Sequence, residues 1–329
     1  MAIIIIFLSV LYGFAIGAND AANSFADWIG ARVGKPRTGM LICGIMAFLG
    51  ALLEGGKVSK TIGSGIIPSQ YLTFEIACIG ILAAIFWVIF ATYFGLPVST
   101  THSAVGAVAG IGIALSIPHW VGYTGEFIPI KWEVFKKIVI CWLVTPTASC
   151  VGSFIFYFSL INILRKSHHE KKFYKWSKIL LTISSSYVAY TWGTNDVANA
   201  VALVSGAKVL PIKMACVIGG GAMAFGAILW GYKVAENVGF NITRLTPIMG
   251  FCADLSCAFV IHFFTQLKVP VSTTHALVGA IAGVGLARGT NVVNLKIIRD
   301  IVLAWVATPF LTGVFAILVF YISKLIILF

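Results

Sequence analysis

The sequence predicts an all-α polytopic membrane protein made of an inverted-topology repeat: two halves of five to six helices, with broken helices at the bilayer midplane. Three observations predict it. Of the 329 residues, 59 % are hydrophobic and only 10 % charged, against ~45–50 % and ~25 % in soluble domains. Ten apolar runs follow one another along the chain. Several polar motifs occur twice, in the same order. The composition excludes a disordered chain, a nucleic-acid binder and an ordinary cytosolic enzyme. The lipid bilayer is therefore the expected surrounding, and no nucleic-acid partner is expected.

The first run, 2–18, has no basic segment before it and leads into a polar motif, so it reads as a retained helix and not as a signal peptide. Further runs lie at 38–55, 71–94, 102–118 and 137–164, then at 179–197, 210–231, 245–267, 274–288 and 297–328. Two are short and glycine-rich and two exceed one membrane thickness, so ten to twelve spans are expected. A basic segment at 165–178 separates residues 1–164, the first repeat, from 179–329, the second. With the N-terminus outside, fourteen cations face the cytoplasm against eight on the other side. The positive-inside rule thus predicts a cytoplasmic linker and both termini outside. The seven cysteines form no Cys-x-x-Cys pair and read as small packing residues.

The repeat is explicit. Gly17-Ala-Asn-Asp-Ala-Ala-Asn-Ser-Phe-Ala26 returns as Gly193-Thr-Asn-Asp-Val-Ala-Asn-Ala-Val-Ala202. Pro97-Val-Ser-Thr-Thr-His102 returns unchanged as Pro270-Val-Ser-Thr-Thr-His275. Trp142-Leu-Val-Thr-Pro146 returns as Trp305-Val-Ala-Thr-Pro309. An odd number of spans per copy inverts the second copy, the arrangement in which transporters place a binding site at the repeat interface. Packing alone does not explain why the repeated residues are the polar ones.

Asn19-Asp20 and Asn195-Asp196 stand at the ends of apolar runs. A carboxylate at membrane depth costs ~2.5–3.5 kcal/mol on insertion scales and needs a reason. Carboxylate and amide oxygens are hard ligands suited to Na⁺ or to a proton; helix capping is the plainer role. Asn23 and Asn199 follow by four residues, on the same helical face. In each Pro-Val-Ser-Thr-Thr-His box the proline interrupts a helix. The next residues, Ser99, Thr100 and Thr101, and Ser272, Thr273 and Thr274, then open a new one. Hydroxyls at a helix start suit an oxyanion; a kinked helix with hydroxyls bonded back to its own turn is the alternative.

His102 and His275 are expected to orient those hydroxyls, with a direct anion or proton role as the rival. Ser99, His102 and Asp20 also spell a hydrolase triad, but nothing marks a nucleophile elbow. Asp254, in an apolar run, is a further candidate cation ligand, or the partner of a nearby cation. Glu54 and Lys57 are spaced to pair. Gly106-x-x-x-Gly110 and Gly279-x-x-x-Gly283 are close-packing faces, and Pro146 and Pro309 should kink the last helix of each half.

From Gly13 to about Tyr321, the duplicated Gly-x-Asn-Asp motifs and Pro-Val-Ser-Thr-Thr-His boxes resemble the inorganic phosphate transporter (PiT, Pho-4) family. The resemblance implies a secondary transporter, not an enzyme, importing inorganic phosphate by cation symport through alternating access, commonly as a homodimer in the cell membrane. It implies phosphate held by Asn23, Ser99, Thr100, Thr101, Asn199, Ser272, Thr273 and Thr274. Na⁺ is implied at Asn19, Asp20, Asn195 and Asp196 as co-transported ion, with no organic cofactor. Proton-coupled relatives often carry His where this chain has Asn19, and sulfate carriers lack the acid present here as Asp20. The Asn-Asp form is thus similar to the sodium branch. H⁺-coupled uptake of phosphate or metal phosphate is the alternative, ahead of a sulfate permease or an anion channel. The long loop that many eukaryotic members place between the halves is missing here.

Overall fold

The computed structural model describes residues 2–93, 98–120, 130–167, 170–232, 235, 245–289 and 295–328. These are helical almost throughout, with no strand among the described residues. In the first half, α1 (Ala2–Asp20) and α2 (Ala22–Gly30) run on as one span, interrupted only at Ala21. Then come α3 (Pro36–Glu54), α4 (Gly56–Gly65), α5 (Phe74–Tyr93), α6 (Thr100–Trp120) and the long α7 (Trp132–Ser167). The second half holds α8 (Glu170–Gly206), α9 (Ile212–Gly226, prolonged by a wider turn over Ala227–Gly231), α10 (Pro247–Gln266), α11 (Thr273–Arg288) and α12 (Leu295–Leu328).

Eight helical segments among the described residues are long and apolar enough to cross a membrane. Two of the ten runs fall outside this set for physical reasons. The 16 residues of α11 are too few. Along α8, Ser184, Ser185, Ser186, Thr191, Thr194, Asn195, Asp196 and Asn199 dilute the apolar residues. Hydropathy stops near residue 197, but the helix continues to Gly206, so Asp196 lies inside a helix and not at its end. The basic segment 165–178 also differs from an extended linker: α7 runs through its first three residues and α8 opens at Glu170.

The halves are interleaved through backbone-close seams. A Cβ on Gly17 of α1 would collide with the Met223 carbonyl of α9, and one on Gly193 of α8 with the Ala47 carbonyl of α3. These contacts are equivalent under the repeat. A Cβ on Gly106 or Gly110 of α6 would strike Pro309 or Gly313 of α12. On the other side, Gly279 and Gly283 of α11 lie against Pro146 and Cys150 of α7. The expected glycine faces therefore serve close packing, and each packs on the last helix of the opposite half. Tyr12, Ile16, Phe25, Met40, Ile62 and Trp192 are fully buried around the centre. By contrast Leu143 and Phe310 are 71 % and 74 % exposed, on the apolar outer surface of α7 and α12.

Candidate functional site

The site is assembled where α6 and α11 begin. Residues 98–99 and 269–272 are non-helical, with Pro270 in the second stretch; Pro97 lies outside the described residues. Ser272 Oγ accepts from the His275 backbone N–H at 3.3 Å, and Ser99 Oγ accepts from His102 N–H at 3.3 Å. Both serines thus cap their helices through the oxygen and keep a proton to donate elsewhere.

The next residue of each box reaches an aspartate of its own half. Thr100 Oγ1 donates to Asp20 Oδ2 at 2.7 Å, and Thr273 Oγ1 donates to Asp196 Oδ2 at 3.0 Å. Both carboxyl groups are buried. Their other oxygens, Asp20 Oδ1 and Asp196 Oδ1, are buried without a hydrogen-bond partner among the described residues. A buried carboxylate is stable only when it is paired, ligated or protonated.

The third residue of each box is held by the other half. Asn23 Nδ2 donates to Thr274 Oγ1 at 3.0 Å, and Asn199 Nδ2 donates to Thr101 Oγ1 at 3.1 Å and lies 3.3 Å from Thr100 Oγ1. Thr101 in turn donates to the Val271 carbonyl at 3.2 Å. The hydroxyls of both helix starts and both asparagines therefore meet on the line between the halves. Asn195 does other work: its Nδ2 donates to Thr265 Oγ1 at 3.0 Å and its Oδ1 accepts from Val271 N–H at 3.3 Å, tying down the α10–α11 connection. Its counterpart Asn19 is half-buried near the end of α1.

The histidine rings bond elsewhere than to the hydroxyls of their own boxes. His102 Nδ1 lies 3.0 Å from the Trp305 carbonyl and His275 Nδ1 lies 3.1 Å from the Trp142 carbonyl, each on the opposite half's last helix. The two rings meet with centroids 4.5 Å apart, His102 against Trp142 and His275 against Trp305. Because a carbonyl only accepts, Nδ1 carries the proton in both rings. The Ser99–His102–Asp20 arrangement is not a relay: the Asp20 carboxylate takes the Thr100 hydroxyl, and the ring of His102 turns to Trp305.

Asp254 is bound by hydroxyls and by no cation among the described residues: Ser185 Oγ donates at 2.6 Å and Ser184 Oγ at 3.3 Å. Sequence reasoning missed its neighbour Asp27, whose Cβ is 3.3 Å from where a Cβ on Gly250, one turn before Asp254, would stand. A second acidic residue within the first apolar span was the available signal. Glu54 does pair with Lys57, at 2.7 Å, but it also accepts from Tyr190 at 2.7 Å and Gln266 at 2.6 Å and faces His262 at 3.3 Å. Those partners sit on α8 and α10, beyond the reach of spacing arguments. Tyr12, whose hydroxyl donates to the Thr100 carbonyl at 3.2 Å, was hidden in an apolar run.

Helices of this length and apolarity around a buried, duplicated polar centre define a multi-pass membrane protein with an internal repeat. The sequence pattern of the phosphate transporter family matches residues 16–316, and the chain belongs to that family. It is 33 % identical to a protein of Pyrococcus furiosus named "Putative phosphate permease", with 96 % of this chain and 95 % of that protein aligned. It is 28 % identical to a Bacillus subtilis protein named "Probable low-affinity inorganic phosphate transporter", over 99 % of this chain and 98 % of that one. A solved structure described as a sodium-dependent phosphate transporter superposes with a TM-score of 0.86 at 30 % identity, covering 99 % of each chain.

Proposed function

We propose that the protein imports inorganic phosphate in symport with Na⁺ by alternating access. The observation that carries this reading is the pair of buried aspartates, Asp20 and Asp196, each with one oxygen held by a threonine and the other without a hydrogen-bond partner among the described residues. Na⁺ binds at these oxygens, with Asn19 and Asn195 beside them and Asp254 as a further cation ligand. Phosphate lies between the two helix starts. It accepts hydrogen bonds from Ser99, Ser272 and Thr274 and from the second N–H of Asn23 and Asn199, while Thr100, Thr101 and Thr273, whose protons go to Asp20, the Val271 carbonyl and Asp196, line the site through their oxygens. Neutral donors hold an oxyanion without fixing a full positive charge, which favours release. Bound Na⁺ offsets the charge of the anion, and the neutralised centre passes between outward and inward states as the halves, 1–164 and 179–329, move. The name of the superposed structure supports sodium as the coupling ion.

In this reading the protein lies in the cell membrane with both termini outside, and the exposed apolar surfaces of α7 and α12 face lipid and a second copy. The test is uptake of radiolabelled phosphate into proteoliposomes at constant pH, with and without an inward Na⁺ gradient and with sulfate as competitor. Uptake that needs Na⁺ and ignores sulfate supports it. Uptake indifferent to Na⁺ and driven by a pH gradient reassigns Asp20 and Asp196 to proton coupling.

A further inference from the structure

We infer that the cleft between the ends of α4 and α8 is a second anion site, in which one phosphoryl oxyanion is held apart from the central site. The cleft has a volume of about 490 Å³ and is lined by Lys60 and Lys208 with the hydroxyls of Ser64, Ser69 and Ser205. Among the described residues no carboxylate lines it. Among the described residues neither ammonium is paired with an acid. In a chain with 10 % charged residues, two cations lining one cleft, with no counter-charge among the described residues, make a site of net positive charge, matched to a phosphate mono- or dianion.

The local backbone fixes this geometry. Lys208 takes a left-handed conformation (φ 58°) in the turn that ends α8, where its N–H bonds the Ser205 carbonyl at 3.1 Å and Val209 N–H bonds that of Val204 at 3.1 Å. Glycine is the usual occupant of such a position; here it carries a cation and anchors its stem at the rim of the cleft. The hydroxyls are available. Ser64 and Ser205 each donate to their own helix at 3.2 Å, long for an O–H···O bond of ~2.7–2.8 Å. Exchange for an anion oxygen therefore sacrifices little.

The cleft stops short of the central site. Its floor is the seam where Gly63 meets the Ala202 carbonyl so closely that no Cβ fits. Ser205 follows Asn199 by six residues, ~9 Å along α8. An oxyanion at Ser205 thus waits about one and two-thirds turns from the asparagine that bonds Thr101. Its identity as phosphate rests on the proposed transport function; the oxyanion chemistry does not.

The test is equilibrium dialysis of ³²P-labelled inorganic phosphate against the full chain in phosphatidylcholine nanodiscs at low ionic strength. Wild type should show two classes of site. The double variant Lys60→Gln/Lys208→Gln should lose one, or weaken it at least tenfold, while Lys60→Arg/Lys208→Arg keeps it. In proteoliposomes the Gln variant should raise the KM for phosphate several-fold, with kcat and Na⁺ dependence unchanged. Asp20→Asn/Asn199→Ala should remove the other class; an isotherm unaltered by that variant overturns the central assignment and leaves the cleft standing. Nanodiscs containing phosphatidylglycerol separate the sources. If the free ion still binds wild type there, the ligand is inorganic phosphate. If the lysine-dependent class disappears only there, the cleft holds a lipid headgroup. Identical isotherms for wild type and the Gln variant in both lipids overturn the inference.

Discussion

His102 Nδ1 stands 3.0 Å from the carbonyl of Trp305, the very carbonyl that Pro309, four residues on, leaves without a helical N–H. His275 does the same at 3.1 Å for Trp142, four residues before Pro146. Proline removes one rung from a helix ladder, and here a side chain from the opposite half supplies the missing donor. The repeated histidine, tryptophan and proline are therefore one device in three pieces of sequence.

This arrangement gives a double-mutant test. His275→Ala should destabilise the protein by ~1–3 kcal/mol, because it strands a buried carbonyl. In a Pro146→Ala background the helix provides its own N–H to Trp142, and most of that cost should vanish. Thermal unfolding in detergent reads both. Equal costs in the two backgrounds would show that the ring acts some other way.

The threonine–aspartate bonds predict an ion-affinity effect. Thr100→Val removes the 2.7 Å donor to Asp20 and Thr273→Val the 3.0 Å donor to Asp196. A hydrogen bond to a charged group contributes ~1.5–3 kcal/mol, so half-saturation by Na⁺ should rise roughly tenfold or more in each. Asp20→Asn should abolish coupled uptake with expression intact. Normal Na⁺-driven uptake by that variant would sink the coupling scheme.

Cross-half bonds should show in substrate affinity. Asn199→Ala removes the N–H donor to Thr100 and Thr101, and Asn23→Ala the one to Thr274. Both should raise the KM for phosphate, by about tenfold for each ~1.4 kcal/mol lost. Asn195→Ala, which loosens the α10–α11 connection, should lower the unfolding temperature as well as uptake. If all three variants change only KM, the structural role given to Asn195 is wrong.

The seams predict which glycines tolerate a methyl group. Gly17→Ala and Gly193→Ala drive a Cβ into the carbonyls of Met223 and Ala47. Overpacking of this kind costs ~1–3 kcal/mol, and monodisperse yield in size-exclusion chromatography should fall in both. Gly221→Ala meets only Phe48, at 3.9 Å, and should behave as wild type. A Gly17→Ala protein as stable as Gly221→Ala would contradict the packing.

Much of this was legible in the sequence because duplication writes each motif twice. Asp20, Asn23 and Thr100 each have an equivalent in Asp196, Asn199 and Thr273, and the pairs of bonds among them follow the repeat. Residues without a twin were harder to read. Asp254 matches Ile81, and its partners Ser184 and Ser185 lie on another helix. Asp27 matches Leu203 and drew no attention. The spacing of Glu54 and Lys57 revealed their pair, but Tyr190, His262 and Gln266 reach Glu54 only through tertiary packing. The ring contact of His102 was out of reach for the same reason: adjacency suggests the hydroxyls of its own box, whereas the carbonyl its Nδ1 meets lies 203 residues away.

The crossed packing of α6 on α12 and of α11 on α7 sets a timetable for biogenesis. During synthesis the glycine face of α6 waits for α12, made long after it, and α7 waits for α11. The first half thus enters the bilayer with its seams open, and closure falls to α11 and to the 34-residue α12. A truncation that spares every residue of the first half but removes Pro309 and Gly313 would leave Gly106 and Gly110 without their mate. Damage to α12 would therefore appear as a defect in α6, a helix of the first half.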